Sequence, residues 1–275
     1  CMQFKEFFRA ATTSPEYPQG FSPFPYQVRL ATGTWPDLID IPTGLGKTAA
    51  VVLAWLHRSL VRPAETPRRL VYCLPTRVLV EQTADAINDW VDQVADRFRE
   101  EGQHLPSVSV LMGGRQELEW VEHPERRAAI VGTQDMLLSR ALMRGYGMSR
   151  YKWPVHFAWL HNDVLWVFDE TQLMGVGVET SAQLQAFRRH LGTARKAHSI
   201  WMSATLGRQQ LDTVDQPQPP KAWRGEELAA ADLAVPVVQR RIQAEKGLGR
   251  CPIDFAEATS PRYPSELADR VLELH

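Results

Sequence analysis

The feature that most constrains this chain is the run Pro42-Thr43-Gly44-Leu45-Gly46-Lys47-Thr48, set between a β-like run at 38–41 and an apolar helical stretch from Ala49 to Leu56. A strand, a glycine-rich loop and a helix start in that order make a cradle for phosphate. Glycines let backbone N–H groups converge on phosphate oxygens, and the helix N-terminus adds partial positive charge. In that reading Thr43, Gly44 and Gly46 shape the loop and Lys47 reaches the β- and γ-phosphates of a nucleotide such as ATP. Thr48 can hold a magnesium ion. The strict form of the motif would place glycine at position 41, where this chain has Ile41.

Five further β-like runs follow at 70–74, 108–112, 129–131, 165–168 and 200–202, most of them trailed by helical patterns. Strands alternating with helices predict a parallel sheet covered on both faces, because each parallel strand needs a crossover to reach the next. The expected class is therefore a doubly wound, mostly parallel α/β domain. From Val80 onward, Val80, Ala84, Ile87, Val91, Val94 and Phe98 mark the inner face of a helix, while Asp85, Asp89, Asp92 and Asp96 mark a solvated one. Gln216-Pro217-Gln218-Pro219-Pro220 can continue neither a helix nor a central strand. The domain is accordingly expected at 21–215, with 1–20 as an N-terminal extension and 216–275 as a linker and the start of a second lobe. A last helix is expected over Ser265–His275, where the chain reads as truncated, and Cys1 ahead of Met2 reads as an expression remnant.

Lys and Arg number 31 against 32 Asp and Glu, so any grip on nucleic acid must come from a local patch. Arg58, Arg62, Arg68, Arg69 and Arg77 crowd one stretch of sequence, and a nucleic-acid face and a partner-docking face explain them equally well. Cys1, Cys73 and Cys251 lie far apart without a CxxC pair, which argues against a disulfide framework or zinc knuckle and fits a reducing, cytoplasmic setting. Cys73, inside a β-like run, reads as a small buried hydrophobe. No apolar run approaches the roughly 20 residues that a membrane span requires. The histidines are scattered without ligand-like pairing.

A second chemical signal is Leu165-Trp166-Val167-Phe168 running into Asp169-Glu170. An apolar strand that delivers two carboxylates at its C-terminal end puts them where open α/β sheets hold ligands. Asp169 would hold magnesium, and Glu170 would orient or deprotonate the water that attacks the γ-phosphate.

In order along the chain, further runs extend this pair of signals, and together they resemble the superfamily 2 helicases. Gln27, in Phe24-Pro25-Tyr26-Gln27, matches the glutamine that reads adenine. Leu74-Pro75-Thr76-Arg77 matches motif Ia and Gly132-Thr133-Gln134-Asp135 motif Ib. Asp169-Glu170-Thr171-Gln172 takes the place of motif II and Ser203-Ala204-Thr205 that of motif III. The Pro25-Tyr26-Gln27 run, the sequence from Pro75 to Gln82, Gly113-Gly114, and the aromatic segment from Leu142 to His161 are similar to Cas3, the CRISPR-associated helicase family. Gln172 departs from that pattern, which has histidine, so coupling through Gln172, Ser203 and Thr205 is expected to differ in detail.

The resemblance spans Phe21 to Leu206 and implies the first of two RecA-like lobes, an ATP-binding lobe that needs arginines from the second for efficient hydrolysis. It implies ATP and Mg2+ as cofactors, single-stranded DNA (or RNA) bound through Thr76, Arg77, Gly113, Gly114 and Thr133, and a CRISPR surveillance complex as recruiter. Two other readings compete: an RNA or repair helicase lobe unrelated to CRISPR, and a catalytically weak lobe that docks a partner. A transporter ATPase would carry a Leu-Ser-Gly-Gly-Gln-like signature before its Asp-Glu pair, and this chain has none. Tyr146, Tyr151, Trp153, Phe157 and Trp159 allow base stacking or simple packing on the domain.

Overall fold

The computed structural model describes residues 3–116, 118–145, 147–203, 211–215, 223–244 and 262–274, and among these eight strands build one sheet. In chain order they are β1 (Leu38–Asp40), β2 (Arg69–Leu74), β3 (Ser107–Met112), β4 (Arg115–Gln116), β5 (Ala128–Thr133), β6 (Val164–Phe168), β7 (Ala197–Ser203) and β8 (Gly225–Glu227). The helices are α1 (Phe4–Ala11), α2 (Pro25–Thr32), α3 (Lys47–Val61), α4 (Arg77–Gln93), α5 (Ala95–Glu100) and α6 (Glu119–Glu122) in the first half. There follow α7 (Gln134–Ala141), α8 (Trp153–His161), α9 (Val176–Leu191), α10 (Ala230–Leu233), α11 (Pro236–Gln243) and α12 (Tyr263–Leu274).

The spatial order is β4-β3-β5-β2-β6-β7-β1-β8, parallel throughout except for the β3–β4 hairpin. Side chains alternate across the sheet as the period of two demands. Leu70, Tyr72 and Leu74 of β2 enter a core shared with α1 to α4, whereas Val71 and Cys73 enter the opposite core with α7, α8 and α9. In that second core Trp166, Phe168 and Trp201 stack at centroid distances of 5.2 and 5.9 Å. The six apolar runs all become strands. β4 and β8 are the additions, too short and polar to carry an apolar signal.

The domain edges differ from those read in the sequence. Cys1–Ile242 forms one unit and Gln243–His275 a second, which holds α12. The segment 1–20 is no loose extension, because Phe4, Phe7, Phe8 and Ala11 of α1 recur at helical spacing and are buried in the main core. Residues 223–242 likewise belong to the lobe, since β8 pairs with β1 and Val238 of α11 is buried.

Two sequence clusters disperse. Arg58 is buried, donates to the carbonyls of Leu30 and Ala31 at 2.5 and 3.0 Å, and stacks over Trp35; Arg69 is buried and bonds the carbonyls of Asn162 and Pro124. These arginines close helix and loop ends, so the five form no single basic patch. Of the aromatic segment, Tyr146 lies outside the described residues. Trp159 packs under Arg69 and Phe157 against His161, so α8 mostly covers its own domain, with Tyr151 left 89% exposed. Asp85, Asp89, Asp92 and Asp96 are exposed, and Cys73 is buried, its thiol pushed well up by that burial.

Candidate nucleotide and nucleic-acid site

Seven strands run the same way, so their C-terminal ends form one edge of the sheet, where the crossover loops gather. The loop after β1 turns into α3 through two left-handed glycines, Gly44 with φ of 80° and Gly46 with φ of 74°. Side-chain donors pin its carbonyls. Lys47 Nζ donates to Ile41 O at 2.8 Å, Tyr26 Oη to Leu45 O at 2.6 Å and Gln27 Nε2 to Gly46 O at 3.1 Å. A peptide N–H points opposite its carbonyl, so the N–H groups of Gly46 and Lys47 face away from Tyr26 and Gln27. That is the polarity an anion cradle requires. Thr43 is exposed on the loop's outer rim.

Gln27 itself is buried, its Oε1 accepting from the N–H of Phe24 at 2.8 Å. It thus anchors the loop as well as lying beside it. With Phe24, Gly44 and Gly46 it lines a cavity of about 940 Å³.

Asp169, at the end of β6, is buried close to Lys47's loop. Tyr72 of β2 joins the two signals: its hydroxyl donates to Asp169 Oδ2 at 2.7 Å and lies 3.1 Å from Thr48 Oγ1. Burial raises the Asp169 pKa, opposed by the Tyr72 hydroxyl and the N–H of Glu170. Burial and the Asp169 charge hold the Tyr72 phenol well above its ordinary value, so it stays a donor. Tyr72 was missed in the sequence, where it reads as one more strand aromatic.

Glu170 takes a left-handed conformation with φ of 51°, uncommon for a residue with a Cβ and a form of strain that gathers at functional sites. Its carboxylate accepts from Gln172 Nε2, while Gln172 Oε1 accepts from Ser203 Oγ at 2.8 Å. Gln172 therefore bridges the motif II segment to the end of β7, an amide being able to donate to one side and accept from the other. Thr171 reinforces the link through Met202 O at 3.3 Å. Thr205 lies outside the described residues.

On the other half of the edge, Arg77, Gly113 and Thr133 line a groove of about 720 Å³ together with Pro75, Gln134 and Val176. Thr76 and Gly114 are not part of that lining. Thr76 caps α4, its hydroxyl accepting from Leu79 N, and Gly114 forms the β3–β4 turn with φ of 85°. Among the described residues no three His, Cys, Asp or Glu side chains gather as a metal cluster, and no helix is long and apolar enough to cross a membrane.

No curated protein gives a significant match. Among solved structures the chain resembles the DUF1998 helicase MrfA bound to DNA, with a TM-score of 0.54, 18% identity, and coverage of 81% of this chain and 29% of that one. It also resembles Mss116p bound to ssRNA and AMP-PNP, with a TM-score of 0.51, 18% identity and coverage of 75% and 39%. The yeast DEAD-box splicing factor Prp28 follows, with a TM-score of 0.50, 19% identity and coverage of 74% and 45%. At such identities the likeness is one of fold, and the chain spans under half the length of each. The family model of the DEAD/DEAH box helicases matches residues 37–214, more than half the chain. On that match the chain belongs to the DEAD/DEAH box helicases.

Proposed function

We propose that the chain is the ATP-binding lobe of a translocase that hydrolyses ATP and moves along single-stranded DNA, of the CRISPR-associated Cas3 kind. The observation that carries the reading is the link from Thr48 through the Tyr72 hydroxyl to Asp169, which joins the phosphate loop to the carboxylate pair. A hydroxyl and a carboxylate held together are hard oxygen donors that fit magnesium. Thr48 and Asp169 would hold the ion, which when bound neutralises charge on the phosphates.

Lys47 would leave Ile41 O for the β- and γ-phosphates, and Gln27 and the cavity beside it would take the adenine. Glu170 would orient the attacking water and accept its proton. The strained backbone of Glu170 and its tie to Gln172 give its carboxylate a fixed position before substrate arrives. Gln172 would then report the state of the γ-phosphate to Ser203, and through it to the strand-gripping segments. Arg77, Gly113 and Thr133 would contact backbone phosphates, with Thr76 and Gly114 shaping those contacts, and such contacts move along a strand without reading it. A second RecA-like lobe of the same polypeptide would supply the arginines that complete hydrolysis, and its closure and reopening would advance the strand.

The Cas3 kind is favoured over other members by the run from Pro75 to Gln82, by Gly113-Gly114 before the long approach to Thr133, and by the aromatic helix α8. It places the protein in the cytoplasm, recruited by a CRISPR surveillance complex. The intact set Lys47, Thr48, Asp169 and Glu170 speaks against a docking module that has lost its catalysis. The test is ATP hydrolysis by the full-length protein with single-stranded DNA or RNA added. Stimulation by DNA is expected; stimulation by RNA alone would assign the lobe to an RNA helicase, and none with either strand would favour the docking module.

A further inference from the structure

The polar segment 223–242 returns to the nucleotide side of the lobe and is fastened there. Asp232 of α10 is fully buried, and its carboxylate accepts from the N–H of Tyr26 at 2.6 Å, the N–H of Ala229 at 2.9 Å and Arg29 Nη2 at 2.8 Å. Arg29 also pairs with Glu226 of β8 at 2.6 Å. A buried carboxylate persists only when its oxygens are satisfied in this way, so α10 is locked onto the start of α2, beside Gln27.

The next helix, α11, inherits that position. Val238 is buried in the main core, while Val235 and Val237 line the 940 Å³ cavity together with Phe24, Gln27 and the loop glycines. Arg241 stands one helical turn after Val237, on the same face, and its guanidinium donates to the carbonyl of Gly44. A cation other than Lys47 is thereby brought to the phosphate loop, from a part of the chain that carries no nucleotide motif.

We propose that Arg241 is a nucleotide-binding residue that grips the phosphate chain at its base-proximal end. The inference rests on the proposed ATP site. The cavity walls are mostly apolar and suit a base, Gly44 and Arg241 both line that cavity, and the loop runs on from Gly44 to Lys47. A guanidinium offers five N–H donors in a planar fork, of which Gly44 takes one, and such a fork matches phosphate oxygens. Asp232 serves as a positioning residue, since it sets where α11 begins.

Because the base-proximal phosphates are common to ATP and ADP, both nucleotides should be affected alike. The experiment is calorimetric titration of the full-length protein with ATP, ADP and adenosine, in the wild type, Arg241→Ala, Arg241→Lys and, as a reference, Lys47→Ala. Arg241→Ala is expected to weaken ATP and ADP by a similar factor of about ten while sparing adenosine, with partial recovery in Arg241→Lys. A loss confined to ATP, an equal loss with adenosine, or no loss at all would overturn the assignment. Lys47→Ala separates the two levels. If it weakens ATP and Arg241→Ala does not, the inference alone fails; if neither weakens ATP, the nucleotide site itself is misplaced.

Discussion

On the β6-β7-β1 side of the sheet edge several candidate side chains are sunk into protein and held by partners, with Thr48 and Glu170 half-buried, whereas on the β3-β5-β2 side they stand largely in water. Lys47, Asp169, Thr171 and Ser203 are buried, each held by a named partner. Thr76, Arg77, Gly113 and Gly114 are exposed, and only Thr133 of that set is buried. The contrast fits the two tasks proposed for these halves. Charge that develops on a γ-phosphate is best met by fixed dipoles in a water-poor setting, which cost no reorganisation at the moment of reaction. A strand that must be gripped and released is better met by exposed donors, whose contacts are weak singly and screened by salt.

Four experiments can break or sharpen this contrast. Lys47→Ala should cut ATP turnover about a thousandfold, measured by phosphate release. It should leave the grip on single-stranded DNA without nucleotide intact; loss of that grip would mean the two halves are not separate. Glu170→Gln should slow hydrolysis about a hundredfold with nucleotide affinity retained, because an amide fills the position but cannot take the water's proton. Failure of that variant to bind nucleotide would instead make Glu170 a structural residue. Arg77→Ala should weaken single-stranded DNA several-fold and lower the salt dependence of log K by about 0.7, the share of one phosphate contact on a single strand. An unchanged salt slope would place Arg77 outside the groove's contacts.

The smallest effect is on stability. Burial raises the Asp169 pKa, so its contribution favours the fold below the unfolded value and is lost as pH rises through the folded one. At neutral pH the carboxylate therefore works against folding, and Asp169→Asn should raise the melting temperature by about 2 °C there, with the gain vanishing near pH 4. A lowered melting temperature at neutral pH would show that the bond from Tyr72 outweighs the burial.

What could be read in advance follows from range along the chain. The apolar runs that became β2, β3, β5, β6 and β7 state their own burial, and the chemical residues sit directly after them because a parallel sheet puts its loops at one edge. Gln172 departs from the family's histidine, and its two hydrogen bonds, donated to Glu170 and accepted from Ser203, explain how an amide can stand there. Tyr72, Asp232 and Arg241 were not legible, since each acts on residues far away in sequence: Thr48 and Asp169, Tyr26 and Arg29, and Gly44. Gly225-Glu226-Glu227 reads as a polar loop and is a strand only because β1 offers it an edge. The burial of α1, by contrast, was there to be read in the spacing of Phe4, Phe7, Phe8 and Ala11.

β1 is three residues long and among the described residues pairs with β7 and β8 alone, its partners Trp201 and Gly225 lying far beyond Leu38 in the chain. β1 thus finds no neighbour among the described strands until Trp201 has left the ribosome. At roughly 5–20 residues per second, that wait is on the order of ten seconds or more. Through that interval β2, β3 and β5 can already pair among themselves. The nascent chain would pair β2, β3 and β5 first, and fix β1 and the loop that follows it only after β7 has emerged.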